Sequence, residues 1–191
     1  MNTSSICSWA QGSPEMTQYH NTEWGRPSYD DSYLFELLNL EGAQAGLSWK
    51  IILSKREGYQ RAFHQFNIDR CAALTEEDLE AIREAGEVVR HPQKIKAVQT
   101  NALAAQKVQQ EFGSLASYVW QFTDHQPIIY QRQEVSEIPA KDDLSVKVSK
   151  DLKKRGFKFV GPVTVYSYLQ AVGVIDDHLI TCPYHTNNRH E

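Results

Sequence analysis

One ten-residue stretch organises this sequence: Leu40-Glu41-Gly42-Ala43-Gln44-Ala45-Gly46-Leu47-Ser48-Trp49. It holds a single carboxylate among small residues, and apolar segments flank it on both sides. Glycine and alanine are too small to fill a core, so their clustering indicates that another body approaches the backbone here. That body is either a neighbouring helix, with Glu41 solvated beside it, or a bound ligand that Glu41 faces.

The composition is that of one globular domain. The chain has 191 residues, of which 41% are hydrophobic and 23% charged, enough for a real core. It contains no apolar run near the length of a membrane span. Residues 1–5 carry no basic residue and lead into no apolar segment, so we expect no secretory signal and a cytoplasmic location. We predict a single domain over 1–191, with a flexible tail at about 186–191.

Helical patterns run through most of the chain. Apolar spacing or composition predicts helices at about 32–54, 57–66, 75–85, 94–110, 115–122, 144–155 and 163–172. Thr75 and Asp78 form a capping-box pattern, and Gly86 is placed to end the helix that they begin. Residues 131–143 are polar and predict one long loop. No segment alternates as a strand does, so we predict an all-α domain whose termini are held by something other than a sheet.

Two cysteines and two histidines near the chain ends form a candidate metal site. Cys7 and His20 lie near the start, and His178 and Cys182 lie near the end. A tetrahedral set of thiolates and imidazoles suits zinc, and four protein ligands leave no open position for catalysis. The spacing is too long for a zinc finger, so unrelated residues are the alternative. Three cysteines in all make a disulfide framework improbable.

A basic turn separates the last two predicted helices. Gly156 and Gly161 enclose an aromatic stretch, with Lys154, Arg155 and Lys158 around it. A helix-hairpin-helix turn of this kind presents backbone N–H groups beside a helix N-terminus, which suits one DNA phosphate. The net charge of −4 argues mildly against a nucleic-acid binder, and a plain loop between helices is the alternative. The basic cluster at this turn favours contact with the DNA backbone.

Five motifs together resemble the DNA-3-methyladenine glycosylase I family. They stand in the family's order between residues 7 and 182: Cys7-Ser8-Trp9, Tyr19 to Gly25, Leu40 to Trp49, Lys153 to Gly161, and Asp177-His178 with Cys182. The resemblance implies a helix-hairpin-helix glycosylase fold, with one structural zinc on the four residues above joining the termini. It also implies a monomeric enzyme that removes 3-methyladenine from alkylated double-stranded DNA, releases the free base and leaves an abasic site.

The resemblance also assigns a base pocket. It implies Glu41 as the catalytic carboxylate that faces the flipped base, and Gly46 with Leu47 as the wedge that fills the vacated space in the DNA. The aromatic walls that it implies are Trp9, Tyr19 and Trp49. Adenine alkylated at N3 carries a positive charge in DNA, and aromatic faces with a carboxylate attract a cation.

Some positions depart from the family pattern or stay open. Met16 stands where a further pocket tyrosine is expected, and residues 88–94 match loosely and receive no role. We expect no dedicated catalytic aspartate: Asp176 and Asp177 are the nearest candidates, but Asp177 precedes the proposed ligand His178 and should lie beside the metal or in solvent. The alternative function is a zinc-bound DNA-damage recognition module that does not cut.

Overall fold

The computed structural model describes residues 5–190 and is almost entirely helical. Its helices in chain order are α1 (Pro14–Thr22), α2 (Asp31–Ala43), α3 (Trp49–Ala62), α4 (Ile68–Ala72), α5 (Glu76–Ala85), α6 (Pro92–Phe112), α7 (Leu115–Trp120), α8 (Asp143–Lys154) and α9 (Pro162–Ala171). Two short strands, β1 (Ile128–Ile129) and β2 (Ile175–Asp176), pair in parallel. Among these helices, none has the length and apolar character needed to cross a membrane.

Short polar side chains begin most of the helices. Ser13, Asp30, Ser48 and Asp142 each accept a hydrogen bond from a backbone N–H in the first turn of the helix that follows. The capping box predicted at Thr75 is present, and the left-handed Gly86 ends the same helix at φ 72°. Helix α5 is therefore confirmed from cap to cap.

Helix α2 lies at the centre of the core. All of its residues from Leu34 to Ala43 are buried, and it contacts α3, α6, α7 and α9. A helix that is buried all round must be enclosed by other elements. Each fully buried leucine in it contributes about 1.5–3 kcal/mol relative to an exposed one. The C-terminal end of α2, which carries Glu41, is therefore held in a rigid frame.

Three sequence predictions about secondary structure need correction. The helix predicted at 32–54 is two helices, because the chain turns at Gly46, whose φ is +77°, and Ser48 caps a new helix. Helices α1 and α4 were missed because they are short. The prediction that the chain has no strands was wrong, since Ile128 pairs with Ile175. It failed because a two-residue strand is too short to show alternation.

A tight turn over residues 155–161 joins α8 to α9, which pack against each other. Gly156 has a φ of +95°, and the Ser149 hydroxyl donates to the Val160 carbonyl at 2.6 Å. The turn also packs against α2, because a Cβ added to Gly42 would lie 3.1 Å from the Cβ and carbonyl oxygen of Phe159. Gly42 thus serves the close packing that the sequence left as one alternative.

Candidate active site

A cavity of about 290 Å³ lies between the ends of α1, α2, α3 and α9. All four residues predicted to form the base pocket line it: Trp9, Tyr19, Glu41 and Trp49. Tyr19 projects from α1, Glu41 from the last turn of α2, and Trp49 is the first residue of α3. The volume is near the lower limit for ligand pockets, about 300 Å³, which suits one small planar molecule.

Glu41 is a buried carboxyl group for which residues 5–190 supply no counter-charge. Only 6% of the residue is exposed, and among residues 5–190 no side chain donates a hydrogen bond to it. Burial alone raises the pKa of Glu41 to about 8, because a charge is poorly solvated in such a site. Of the two alternatives that the sequence left open, a solvated Glu41 is therefore wrong, and the carboxyl group is free to meet a ligand.

Two buried donors in the same cavity also lack a partner. The Tyr19 hydroxyl and the Trp49 indole Nε1 are inaccessible and have no hydrogen-bond partner within the described part of the chain. Leaving such a group unpaired costs about 1–3 kcal/mol. Burial and the nearby Glu41 charge raise the pKa of Tyr19, so its hydroxyl stays protonated. The two rings lie 5.3 Å apart between centroids, so both unpaired donors belong to the same wall of the cavity.

The pocket has further lining residues that the sequence analysis did not assign to it. They are Trp24, Gln44, Val135, Ile138, Ser167 and Gln170; Met16, at the position where a pocket tyrosine was expected, lines the cavity as well. Val135 and Ile138 come from the predicted loop 131–143 and bring an apolar wall to the cavity. Isolated apolar residues in a polar loop carry no periodic signal, so only the chain's tertiary path could reveal them.

A second cavity of about 210 Å³ adjoins the pocket. It shares Glu41, Gln44 and Ser167 with the first cavity. Its other lining residues include Gly46 and Leu47, and Val163 and Thr164 in the first turn of α9. The base pocket, the predicted wedge and the start of α9 therefore lie side by side.

The three basic residues at the turn between α8 and α9 differ in how available their charges are. Lys154 and Lys158 are exposed, and neither forms an ion pair with a described residue. Arg155 is held by Asp151 and Glu111, each at 2.7 Å. A DNA contact by Arg155 stays a prediction, and it would require the guanidinium to share or release these carboxylates.

Gly161 and the first turn of α9 can supply backbone donors at the same turn. Gly161 is the N-cap residue of α9, and Pro162 occupies the first helical position. The first N–H groups of a helix have no intrahelical acceptor and point along the axis with the positive end of the dipole. An anion beside this turn, at which Gly156 and Lys158 are exposed, would therefore be favoured.

Three of the four predicted metal ligands meet in the buried interior. The ligand atoms of Cys7, His20 and Cys182 all lie within 4.8 Å of one another. The ring of His178 stands next to this cluster, 4.6 Å from the His20 ring between centroids, but its Nε2 lies 3.4 Å from the His20 carbonyl oxygen. Residues 178–182 are not helical, and His178 and Cys182 stand in an irregular segment after β2.

The chemistry of this cluster fits a metal. A hydrogen bond with Cys182 and burial raise the pKa of Cys7, whereas hydrogen bonds from Cys7 and His20 lower the pKa of Cys182. His178 Nδ1 lies 2.7 Å from the Asp176 carboxylate, an arrangement that leaves Nε2 for a metal. Two thiols and an imidazole in a dry site are the donors that zinc prefers.

Asp177 is buried away from the pocket. Its carboxylate accepts hydrogen bonds from Arg132 Nε at 3.0 Å, from Gln170 Nε2 at 2.9 Å and from the Tyr166 hydroxyl. The expectation that Asp177 is beside the metal or exposed needs correction, since Asp176 is the carboxylate that contacts His178. Asp177 instead joins Gln170 in the pocket wall to Arg132 at the start of the 131–143 loop.

Comparison with known proteins gives one consistent family. The sequence profile of the methyladenine glycosylase family matches residues 9–185. DNA-3-methyladenine glycosylase 1 of Escherichia coli is 43% identical over 96% of this chain and 98% of its own length. DNA-3-methyladenine glycosylase of Haemophilus influenzae is 39% identical over 95% and 98%.

A solved structure from Staphylococcus aureus supports the same assignment. This 3-methyladenine DNA glycosylase I, described for its recognition of 3-methyladenine, superposes with a TM-score of 0.92 at 38% identity over 97% of each chain. The fold is therefore shared over nearly the whole length of the chain. The chain belongs to the methyladenine glycosylase family.

Proposed function

We propose that this protein is a monofunctional DNA glycosylase that hydrolyses the N-glycosidic bond of 3-methyladenine in alkylated duplex DNA and leaves an abasic site. The observation that carries the proposal is Glu41, a buried carboxyl group in an aromatic cavity of about 290 Å³, with no counter-charge from the described part of the chain. The relatives share the activity by name.

The pocket distinguishes a cationic base from a neutral one. A positive ring between Trp9, Tyr19 and Trp49 is attracted by their π-faces and favours the ionised form of Glu41. A neutral adenine lacks this attraction to the π-faces and would leave an ionised carboxylate buried and unpaired. The cavity therefore favours bases that alkylation has charged.

The substrate supplies most of the chemical driving force. When the bond between the sugar and a cationic base breaks, its electron pair leaves with the base, which becomes neutral, so no strong general acid is needed. Water then adds to the sugar cation and releases a proton. Glu41 orients the base, while the hydrogen-bonded Asp177 lies outside the pocket. No lysine lines the cavity among the described residues, so no Schiff base and no strand break are expected.

DNA must bend and open for this chemistry. A glycosylase cannot reach its bond inside the stack, so it extrudes the nucleotide. Gly46 and Leu47, on the rim of the pocket, would enter the vacated space. Lys154, Lys158 and the Gly156 to Gly161 turn would hold the flanking phosphates without reading sequence. In this proposal the turn acts as a helix-hairpin-helix motif.

We propose that one zinc ion is held by Cys7, His20, His178 and Cys182. Bound there, the metal would stabilise the fold and take no part in the reaction, because four protein ligands close its coordination shell. Asp176 would orient His178. Trp9 and Tyr19 lie two residues and one residue from proposed ligands, so the site would also fix two pocket walls.

Three properties expected from the sequence stay predictions. These are the monomeric state, the cytoplasmic location and the flexible tail at 186–191. Within that tail, Thr186 donates hydrogen bonds to Asp176, and Asn188 donates to the carbonyls of Ile180 and Cys182. Glu191 lies outside the described residues.

A base-release assay tests the function. Duplex DNA methylated at adenine N3 is incubated with the protein, and the released base and the strand are analysed by chromatography and gel. We expect free 3-methyladenine and an uncut abasic strand, with strong loss for Glu41→Gln and none for Lys50→Gln, an exposed neighbour of Trp49 that does not line the cavity. A damage-recognition module would instead bind the lesion and release nothing.

A further inference from the structure

We infer that Lys94 is a positioning residue that holds the loop of residues 44–48 in the shape in which Gly46 and Leu47 enter DNA. This inference rests on the proposed function. Lys94 lies in the first turn of α6, within the segment 88–94 to which the sequence analysis gave no role. It does not line the base pocket.

The ammonium group of Lys94 forms hydrogen bonds on both sides of the loop's first turn. Nζ donates to the Ala43 carbonyl at 2.9 Å and to the Ala45 carbonyl at 2.6 Å. These oxygens lie at the C-terminal end of α2, where carbonyls lack intrahelical partners and the helix dipole is negative. One cation therefore satisfies two otherwise unpaired acceptors on either side of Gln44, which lines the pocket.

Within the described residues, the loop of residues 44–48 has no other long-range hydrogen bond. Its own hydrogen bonds are local: Ala45 donates to Gly42 and Leu47 donates to Gln44. Ala45 and Gly46 are exposed, and a Cβ added to Gly46 would find no atom within 4 Å. Among residues 5–190, hydrogen bonds to this loop from a distant part of the chain come from Lys94 alone.

Lys94 is also set apart from a surface lysine. It is partly buried, and within the described chain it has no carboxylate partner, so burial lowers its pKa. Its backbone N–H donates to His91 Nδ1, and the His91 ring meets the Phe159 ring edge-on at 6.1 Å. The start of α6 thus contacts the loop of residues 44–48 through Lys94 and the basic turn through His91.

The test compares Lys94→Met with Lys94→Arg and Lys96→Met. Methionine removes the donors but keeps the length, arginine keeps charge and donors, and Lys96 is a neighbour on α6 that pairs with Glu76 instead. For Lys94→Met we expect at least a tenfold fall in kcat/KM on lesion-containing duplex, with free 3-methyladenine binding to the pocket within twofold of wild type. Arginine should restore most of the loss, and Lys96→Met should stay near wild type.

Two further measurements separate positioning from other roles. The slope of DNA affinity against salt should be unchanged in Lys94→Met, whereas loss of a phosphate contact would lower it by about 0.9. Hydrogen exchange of residues 44–48 in the DNA-free protein should be faster in Lys94→Met only. Unchanged exchange, a lowered salt slope, or an equal loss of free-base binding would overturn the inference. If the proposed function itself failed, wild type would release no base while the exchange difference persisted.

Discussion

Replacing Glu41 with glutamine should stabilise the DNA-free protein, and the gain should grow with pH. Burial raises the pKa of Glu41 from 4.5 to about 8, so between these values the folded protein binds a proton that the unfolded chain has lost. Stability from this group is complete below the unfolded pKa and falls as pH rises toward the folded pKa. Glutamine resembles the protonated side chain and cannot ionise, so it avoids that loss.

The size of the effect follows from the same two values. The separation between 4.5 and about 8 corresponds to about 4–5 kcal/mol at 1.36 kcal/mol per pKa unit. Water in the adjoining cavity will solvate part of the charge, so we expect the advantage of Glu41→Gln to grow by about 2–4 kcal/mol between pH 5 and pH 9. That difference corresponds to about 5–15 °C in Tm for a chain of this size.

Urea unfolding of wild type and Glu41→Gln at pH 5, 7 and 9 measures this directly. Glu36→Gln is the matched control, because Glu36 is also buried but its carboxylate binds Arg56 at 2.7 Å. Breaking that pair should destabilise the protein, so the change in stability for Glu36→Gln should have the opposite sign to that for Glu41→Gln. If Glu41→Gln were less stable than wild type at pH 9, or differed by the same amount at every pH, Glu41 would have a partner in solution and the reasoning would be wrong.

Four further predictions follow from the site. In wild type, kcat/KM for base release should rise with pH toward about 8 as free-enzyme Glu41 ionises, and Glu41→Gln should be flat and about 10–100-fold lower. Cys182→Ala should lower the zinc content measured by elemental analysis and the Tm; full zinc retention with an unchanged Tm would contradict the metal assignment. Lys158→Gln should reduce the salt slope of DNA binding by about 0.9 without changing which base is released. Asp177→Asn should lower the free energy of unfolding, because Asp177 pairs with Arg132. The single-turnover rate of base release should not fall by the factor of about 10²–10⁴ that loss of a general base would cause.

The sequence was most informative where chemistry needs rare residue types. Glu41 among small residues, the aromatic residues around it and the cysteines and histidines near the ends all stand out in composition, and the family resemblance assigned their roles. The structure places Trp9, Tyr19, Glu41 and Trp49 around one cavity. Roles for DNA and for zinc stay predictions that the experiments above test.

Secondary structure was predictable only where the signals were long or chemically distinct. Helix α5 was recovered from its capping box to Gly86 because short polar caps act through local hydrogen bonds. The break between α2 and α3 was missed because apolar spacing continues across it, and one residue at positive φ, Gly46, is enough to turn the chain. The strands at Ile128 and Ile175 depend on a partner 47 residues away, which no local pattern encodes.

The sequence by itself determined the helical class, the family and the residue types that the site uses, because these depend on local periodicity and on which side chains are present. Tertiary structure alone decided how those residues are used. It buried the polar groups of Glu41, Tyr19 and Trp49 around a shared cavity with no partner among residues 5–190, and burial is a property of the whole fold. In the folded chain, Asp177 accepts hydrogen bonds from three partners, and Lys94 donates to carbonyls about fifty residues earlier in the chain. Only folding brings such distant segments within hydrogen-bond distance.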